Sequence, residues 1–193
     1  MSRIFSLLNE TLPLLNFQLR VEQSNTAGPA FKSNSLSGNE RNRLLLAGAH
    51  GFIDNSLISG IDCKEDARSF ALFDYDHDGW LDIALASPNA PRLRIFRNKL
   101  GELGNGGRMI RIKLTGTESN RDACGTLVTI KTNKRIRTLQ KTIGEGLSSQ
   151  NSSTLYFSLA VNETLESITV RWPSGKISNH TVDGTRPLID LIE

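Results

Sequence analysis

The sequence has little cysteine. Cys63 and Cys124 are the only two in 193 residues, and they form no CxxC motif and no cluster with histidine. This spacing gives no sign of a zinc site or of a disulfide framework. The two thiols either form a single bridge or, as we favour, pack separately as small apolar side chains.

Long apolar runs are also missing. No stretch approaches the roughly 20 residues that a membrane-spanning helix requires. The apolar run from Ile4 to Leu8 is interrupted by Asn9 and Glu10 before it reaches the length of a signal-peptide core. The sequence therefore predicts no membrane span and no clear signal peptide.

Strong charge and abundant aromatic side chains are lacking too. The formal net charge is +3 and aromatic residues make up 6% of the chain, which is little for a nucleic-acid-binding protein. A basic stretch could contact a polyanion, but its alternation favours one solvated face of a strand pair. The stretch contains Lys131, Lys134, Arg135, Arg137 and Lys141. We expect no nucleic-acid partner.

Recognisable catalytic motifs are missing as well. The sequence has no HExxH or GxSxG motif, and its histidines, His50, His77 and His180, are scattered. The glycines at 144 and 146 lack the strand, lysine and helix of a phosphate-binding loop. We predict a protein that is not an enzyme and has no catalytic residues.

Two stretches of small and polar residues divide the chain. Gln23 to Asn42 is rich in Ser, Asn and Gly, and Lys99 to Gly107 contains four glycines. Neither stretch can form a packed element alone. We predict a partly flexible N-terminal segment 1–41, a middle segment 42–98, a linker 99–107 and a C-terminal domain 108–193.

Short runs bounded by turn residues predict strands along most of the chain. The clearest is residues 110–114, where three apolar side chains alternate with Arg111 and Lys113, as in a strand with one solvated face. Helical periodicity is weak outside the first twenty residues. The other predicted strands are 43–47, 69–73, 81–87, 92–97, 127–131, 135–142, 154–159, 166–172 and 187–192.

The predicted fold class is therefore all-β. We expect a hairpin or propeller-blade-like middle segment followed by a small antiparallel β-sandwich or barrel. Trp172 to Gly175 reads Trp-Pro-Ser-Gly, which predicts a type I turn between two strands of the C-terminal domain.

The strongest chemical signal is the nine-residue loop from Asp74 to Asp82. Aspartates occupy its first, third, fifth and ninth positions, and Gly79 occupies the sixth. Four like charges at this spacing need a cation, and hard oxygen ligands suit Ca²⁺. The predicted ligands are the side chains of Asp74, Asp76, Asp78 and Asp82 and the carbonyl of Trp80.

An EF-hand begins with the same spacing. It also requires a glutamate at the twelfth position and helices on both sides, whereas the twelfth residue here is Leu85 and both flanks look like strands. We therefore predict a Ca²⁺ loop at the tip of a β-hairpin, and we expect Mg²⁺ to suit it less well because Mg²⁺ demands stricter octahedral geometry.

The middle segment resembles the FG-GAP/VCBS repeats of integrin-type β-propellers. This resemblance implies the same four aspartates as Ca²⁺ ligands. It is carried by "NRLLLAGAHGFIDNSLISGI", "FALFDYDHDGWLDIALAS" and "LRIFRN" between Asn42 and Asn98.

The C-terminal segment from Gly107 to Glu193 resembles the ASPIC/UnbV domain, which in its family follows such repeats in secreted or cell-surface proteins. The resemblance is carried by "SNRDACGTLVTI", "GEGLSSQNS", "LYFSL" and "ITVRWPSGKI". It implies a fold more directly than a task. The loops 119–122 and 148–150 could form a binding surface, although we favour turns held by local hydrogen bonds.

These observations lead to one expected function and two alternatives. We expect a Ca²⁺-stabilised, non-catalytic module at the cell surface or outside the cell that binds an unknown protein or glycan, as in adhesion or matrix interaction. The first alternative is a purely structural tail domain of a larger propeller protein. The second is part of an enzyme of unknown reaction.

Overall fold

The computed structural model describes residues 4–7, 17–20, 40–48, 50–88, 91–103, 107–181 and 186–193. These residues are nearly all in strands and loops, with one short α-helix and one 3-10 helix, which confirms the predicted all-β fold class. The chain divides into two compact units, residues 1–103 with 146–149 and residues 104–145 with 150–193. Among the described residues, no helix has the length and apolar character to cross a membrane.

The first unit contains two sheets. One has the strand order β1-β3-β4, with β1 parallel to β3, and the other is antiparallel with the order β2-β7-β6-β5. The strands are β1 (Ile4–Leu7), β2 (Phe17–Arg20), β3 (Arg43–Gly48), β4 (Gly51–Asp54), β5 (Ser69–Phe73), β6 (Asp82–Ala86) and β7 (Leu93–Asn98). Helix α1 (Ser56–Ser59) follows β4, and the 3-10 helix Leu100–Leu103 follows β7.

Apolar residues of the central strands form the core of this unit. Ile83 and Leu85 on β6 and Ile95 and Phe96 on β7 are all buried. Strands β3, β5, β6 and β7 fall where the apolar runs predict them. Strand β4 was not predicted, because all four of its residues are exposed and its sequence therefore shows no alternation of apolar and polar residues.

The N-terminal strands differ from the expectation for the first twenty residues. The described residues in that stretch form β1 and β2, which pair with β3 and β7, and not a helix. Pairing with distant strands decides this outcome, and local periodicity carries no information about it. The predicted flexible linker Gln23 to Asn42 lies mostly outside the described residues.

The second unit also contains two sheets. The first is antiparallel with the order β10-β9-β12-β13, and the second has the order β11-β8-β14. The strands are β8 (Arg108–Thr115), β9 (Leu127–Thr132), β10 (Ile136–Gln140), β11 (Leu155–Leu159), β12 (Leu165–Arg171), β13 (Ile177–His180) and β14 (Leu188–Ile192). Strand β14 runs parallel to β8, so the prediction of a wholly antiparallel domain is wrong for this pair.

One apolar core combines side chains of both sheets. Ile110 and Ile112 on β8 belong to the same buried cluster as Val128 and Ile130 on β9, and none of the four is exposed to solvent. The alternation predicted for residues 110–114 is thereby confirmed. Two sheets that share one core form a sandwich, and the described strands do not close into a barrel.

Trp172 to Gly175 turns the chain between β12 and β13. The Gly175 N–H donates to the Trp172 carbonyl at 3.0 Å, and Gly175 has a φ of 94°, a conformation that favours glycine. The Trp172 side chain is 1% exposed, and its Nε1–H donates to Ser178 Oγ at 3.1 Å. The predicted turn is confirmed, and its tryptophan is part of the core.

The basic stretch between residues 131 and 141 does not present one solvated face. Lys141 is 6% exposed and donates to the Ser153 carbonyl, while Arg137 donates to the Ser158 carbonyl. Lys131 is exposed. The prediction that these basic residues share one solvated face is therefore wrong. The exposed residues of β10 are its first, third and fifth. Arg137 is the second residue of the strand, so it lies on the other face.

Both cysteines are free thiols, in line with the interpretation as separate side chains. Asn42 Nδ2 donates to Cys63 Sγ at 2.9 Å. Burial, with a smaller effect of Glu65, raises the pKa of Cys63 to about 11. Cys63 is therefore protonated at neutral pH and is a poor nucleophile.

Candidate metal centre

The acidic loop connects β5 to β6 at the tip of an antiparallel hairpin. Phe73 and Asp82 are register partners at the ends of these strands. His77 and Gly79 have φ values of 62° and 92°, and glycine adopts such a conformation without steric cost. Strands on both sides of the loop agree with the hairpin prediction and not with the helix–loop–helix of an EF-hand.

Three of the predicted ligands converge on one another. Asp74, Asp76 and Asp78 each place one carboxylate oxygen within 4.8 Å of the others. Backbone N–H groups of the loop orient them: Gly79 donates to Asp74 Oδ2 at 3.1 Å, and Trp80 donates to Asp78 Oδ1 at 2.8 Å. An ionised carboxylate offers about four acceptor positions, so these bonds leave lone pairs that can bind a cation.

Asp82 has a different environment from the three converging aspartates. Its side chain is fully buried, with Oδ2 accepting from the Tyr75 N–H at 2.8 Å and Oδ1 from the Asn98 N–H at 2.6 Å. Asn98 in turn donates to the Leu81 carbonyl at 3.2 Å. Asp82 and Asn98 therefore fasten the loop to β7, a role for Asn98 that the sequence analysis did not foresee.

Trp80, whose carbonyl is a predicted ligand, packs its side chain inside the first unit. The residue is 7% exposed, and a Cβ placed on Gly101 would lie 2.7 Å from its indole Nε1. Glycine at 101 thus lets the 3-10 helix approach the indole closely. This contact holds the exit of the acidic loop against the end of β7.

Arg97 lies next to the converging carboxylates, and sequence reasoning missed it. Its Nε–H donates to Asp76, its Nη2 lies 3.8 Å from Asp78 Oδ2, and its Nη1 lies 2.5 Å from Glu102 Oε1. The hydrogen bonds that Arg97 donates to Asp76 and Glu102 raise the pKa of its guanidinium above the ordinary value. The only local signal was a basic residue at the end of "LRIFRN", next to Asn98.

The charges in the loop repel one another. Burial raises the pKa of Asp78, and the nearby carboxylates of Asp76 and Asp74 add to this effect. Burial likewise raises the pKa of Asp82. Both carboxylates are thus harder to ionise than an isolated aspartate, and a cation bound nearby would relieve that cost.

The donor set fits a hard divalent cation. All the converging groups are carboxylate oxygens, which suit Ca²⁺ and give no thiolate or imidazole for a softer metal. Arg97 contributes one positive charge against several carboxylates. Negative charge therefore remains in excess at the tip of the hairpin.

The two polar loops, 119–122 and 148–150, are held by local hydrogen bonds. Asn120 donates to the Cys124 carbonyl at 3.0 Å and accepts from the Cys124 N–H at 2.8 Å. In the second loop, Gln150 Oε1 accepts from the Gly144 N–H at 2.8 Å. These contacts agree with the interpretation of both loops as internally bonded turns.

Comparison with known protein families gives a match for one part of the chain. No curated protein matches the chain. Residues 116–186, which contain β9 to β13, match the family model described as ASPIC and UnbV. Over these residues the chain is therefore similar to the ASPIC and UnbV family.

Proposed function

We propose that this protein is a non-catalytic interaction module at the cell surface or outside the cell, stabilised by one Ca²⁺ ion. The observation that carries the proposal is the convergence of Asp74, Asp76 and Asp78 at the tip of the β5–β6 hairpin. These three side chains would hold the ion, with the Trp80 carbonyl and Asp82 as further candidate ligands. Bound Ca²⁺ would neutralise the carboxylates and cross-link the loop.

The role proposed for the ion is structural. The hairpin tip is joined to β7 through the hydrogen bonds of Asp82, so an ion that orders the tip also stabilises the sheet. An ion that binds only the folded form raises the free energy of unfolding. The resemblance of residues 42–98 to FG-GAP/VCBS repeats, which carry such loops, supports this assignment.

Exposed apolar side chains favour a protein ligand over a glycan. Phe52, Ile53, Leu57 and Ile58, on β4 and α1, are all more than 60% exposed. Exposed apolar side chains between residues 52 and 58 suit contact with another protein better than contact with a polar glycan. Only one of the four is aromatic, whereas glycan surfaces are usually built on several aromatic rings.

The family match supports a second candidate, a purely structural tail domain of a larger propeller protein. The sandwich of the second unit has a complete core of its own, and residues 116–186 match the ASPIC and UnbV model. A fold of this kind does not by itself specify a ligand. The two candidates differ in whether the chain binds a protein ligand in a Ca²⁺-dependent manner.

Thermal unfolding of the full chain with and without calcium tests the proposal. With a dissociation constant on the order of 0.1 mM, 1 mM Ca²⁺ stabilises the folded state by about 1.4 kcal/mol and raises the Tm by about 3 to 6 °C. Asp76→Asn should abolish the rise. Asp62→Asn is a matched control, because Asp62 also pairs with an arginine, at 2.7 Å from Arg41, but lies outside the loop. A Tm that responds to neither calcium nor chelator would refute the proposal.

A further inference from the structure

The second unit contains a group of hydrogen-bond donors that converge on one carboxylate. Glu193 Oε2 accepts from the N–H groups of Thr117, Glu118 and Ser119 at 3.0, 2.9 and 2.6 Å. Glu193 Oε1 accepts from Ser119 Oγ at 2.7 Å and from Ser174 Oγ. Five donors therefore surround a single side-chain carboxylate.

The loop that carries these donors is held in shape without Glu193. A Cβ on Gly116 would lie 2.2 Å from the Asn120 carbonyl oxygen, so only glycine permits the close turn. The Gly116 N–H donates to the Arg121 carbonyl at 3.0 Å, and Asn120 bonds to Cys124 in both directions. The donors are thus preorganised, which lowers the entropic cost of binding an anion.

Ser174 joins this loop from the turn between β12 and β13. Its N–H donates to Ser119 Oγ at 3.0 Å, so the two serines are fixed relative to each other. Lys176 Nζ lies 3.9 Å from Glu118 Oε1, so this lysine pairs with Glu118. Anion binding here rests on directed N–H and O–H donors more than on net positive charge.

Successive backbone N–H groups that point to one oxygen form a nest, an arrangement that binds anions. Hydrogen bonds to an ionised carboxylate are about twice as strong as those between neutral groups. Although partial burial opposes ionisation, the bonds from Ser174 and Ser119 lower the pKa of Glu193 to about 2. The geometry and this shift both indicate that the donors recognise a charged carboxylate.

We propose that residues 117–119 and Ser174 form a carboxylate-binding site, which the side chain of Glu193 occupies and which takes a free carboxylate when that side chain is absent. The donors lie at the surface, where Thr117, Glu118 and Ser174 are exposed and Ser119 and Glu193 are partly exposed. A small carboxylate can therefore reach the site from solvent. This inference is independent of the calcium proposal.

Acetate titration of the Glu193→Ala chain, followed by amide NMR, tests the site. The amide signals of Thr117, Glu118 and Ser119 should shift saturably, with a dissociation constant on the order of 10 mM, because so small a ligand gains little affinity. Sodium chloride at equal ionic strength should not reproduce these shifts. Adding Ser119→Ala should weaken acetate binding severalfold, because it removes the Ser119 Oγ donor.

The control is Glu166→Ala, which removes a carboxylate paired with Lys131 at 3.0 Å and leaves Glu193 in place. It should show no saturable acetate response, and neither should the unsubstituted chain. If Glu193→Ala does not fold, Glu193→Ser takes its place, since the short serine side chain also leaves the donors of residues 117–119 free. The proposal is overturned if the variant folds and the amide signals of residues 117–119 do not shift with acetate. It is also overturned if sodium chloride shifts these signals equally.

Discussion

The guanidinium of Arg97, on β7, donates a hydrogen bond to the carboxylate of Asp76, at the tip of the β5–β6 hairpin. The same guanidinium lies 3.8 Å from Asp78. A protein cation thus pairs with two of the three carboxylates that converge at the hairpin tip. Under the calcium proposal, Arg97 and Ca²⁺ compete for Asp76 and Asp78.

Arg97→Gln should therefore bind Ca²⁺ more tightly than the unsubstituted chain. We expect the dissociation constant to fall by about 1.5-fold to fivefold, the range that one partly exposed charge contributes. Calorimetric titration measures it. Arg41→Gln, which removes the partner of Asp62, is the control and should leave the affinity unchanged. Weaker calcium binding in Arg97→Gln would show that Arg97 organises the loop and does not compete.

Arg135→Ala should strongly destabilise the sandwich. Arg135 donates to both oxygens of Glu163 at 2.9 and 3.0 Å, and the Glu163 side chain is 0% exposed. Removing the arginine leaves a buried charge without its partner, which costs about 3 to 5 kcal/mol. Urea denaturation measures this loss. Lys131→Ala breaks an exposed pair and should lower the free energy of unfolding by less than about 1 kcal/mol. An equal loss of stability in the two variants would show that burial does not strengthen the Arg135–Glu163 pair.

Stability should fall in acid partly through Glu163. Burial opposes its ionisation, but bonds from Arg135, Ala160 and Thr132 lower the pKa of Glu163 from 4.5 to about 2. A carboxyl whose pKa is lower in the folded state stabilises the protein fully above pH 4.5, and this contribution is lost as the pH falls through about 2. Denaturation midpoints between pH 6 and 2 should fall less steeply in Glu163→Gln. Identical pH dependence in the two chains would contradict this assignment.

Trp172→Ala should cost about 3 to 5 kcal/mol, because the side chain is 1% exposed and belongs to the sandwich core. Trp172→Phe should cost less, since it keeps one aromatic ring in the core and loses the bond to Ser178 and part of the indole volume. Chemical denaturation followed by circular dichroism distinguishes the two variants. Stability unchanged by the alanine substitution would place the indole outside the core.

Local sequence patterns predicted the strands well where one face is buried. Ile110, Ile112 and Leu114 alternate in the sequence and are buried in the structure, since the period of two is the same in any sheet. For the same reason the pattern could not reveal that β14 runs parallel to β8. Strand β4 gave no signal because it buries none of its side chains.

The candidate sites were predicted only where their residues are neighbours in sequence. One short loop contains Asp74, Asp76 and Asp78, so their spacing in the sequence predicted the cluster. Arg97 is 21 positions from Asp76, and Glu193 is 74 positions from Ser119. Such partners are brought together by strand pairing and leave no local pattern.

The central claim is that the hairpin tip binds Ca²⁺, and calorimetric titration of the full chain tests it most directly. We expect one saturable site with a dissociation constant on the order of 0.1 mM. Asp76→Asn should abolish the binding heat, and Asp62→Asn should leave it intact. Two results would contradict this claim. One is that the unsubstituted chain gives no more heat than dilution alone. The other is that saturable binding persists in Asp76→Asn.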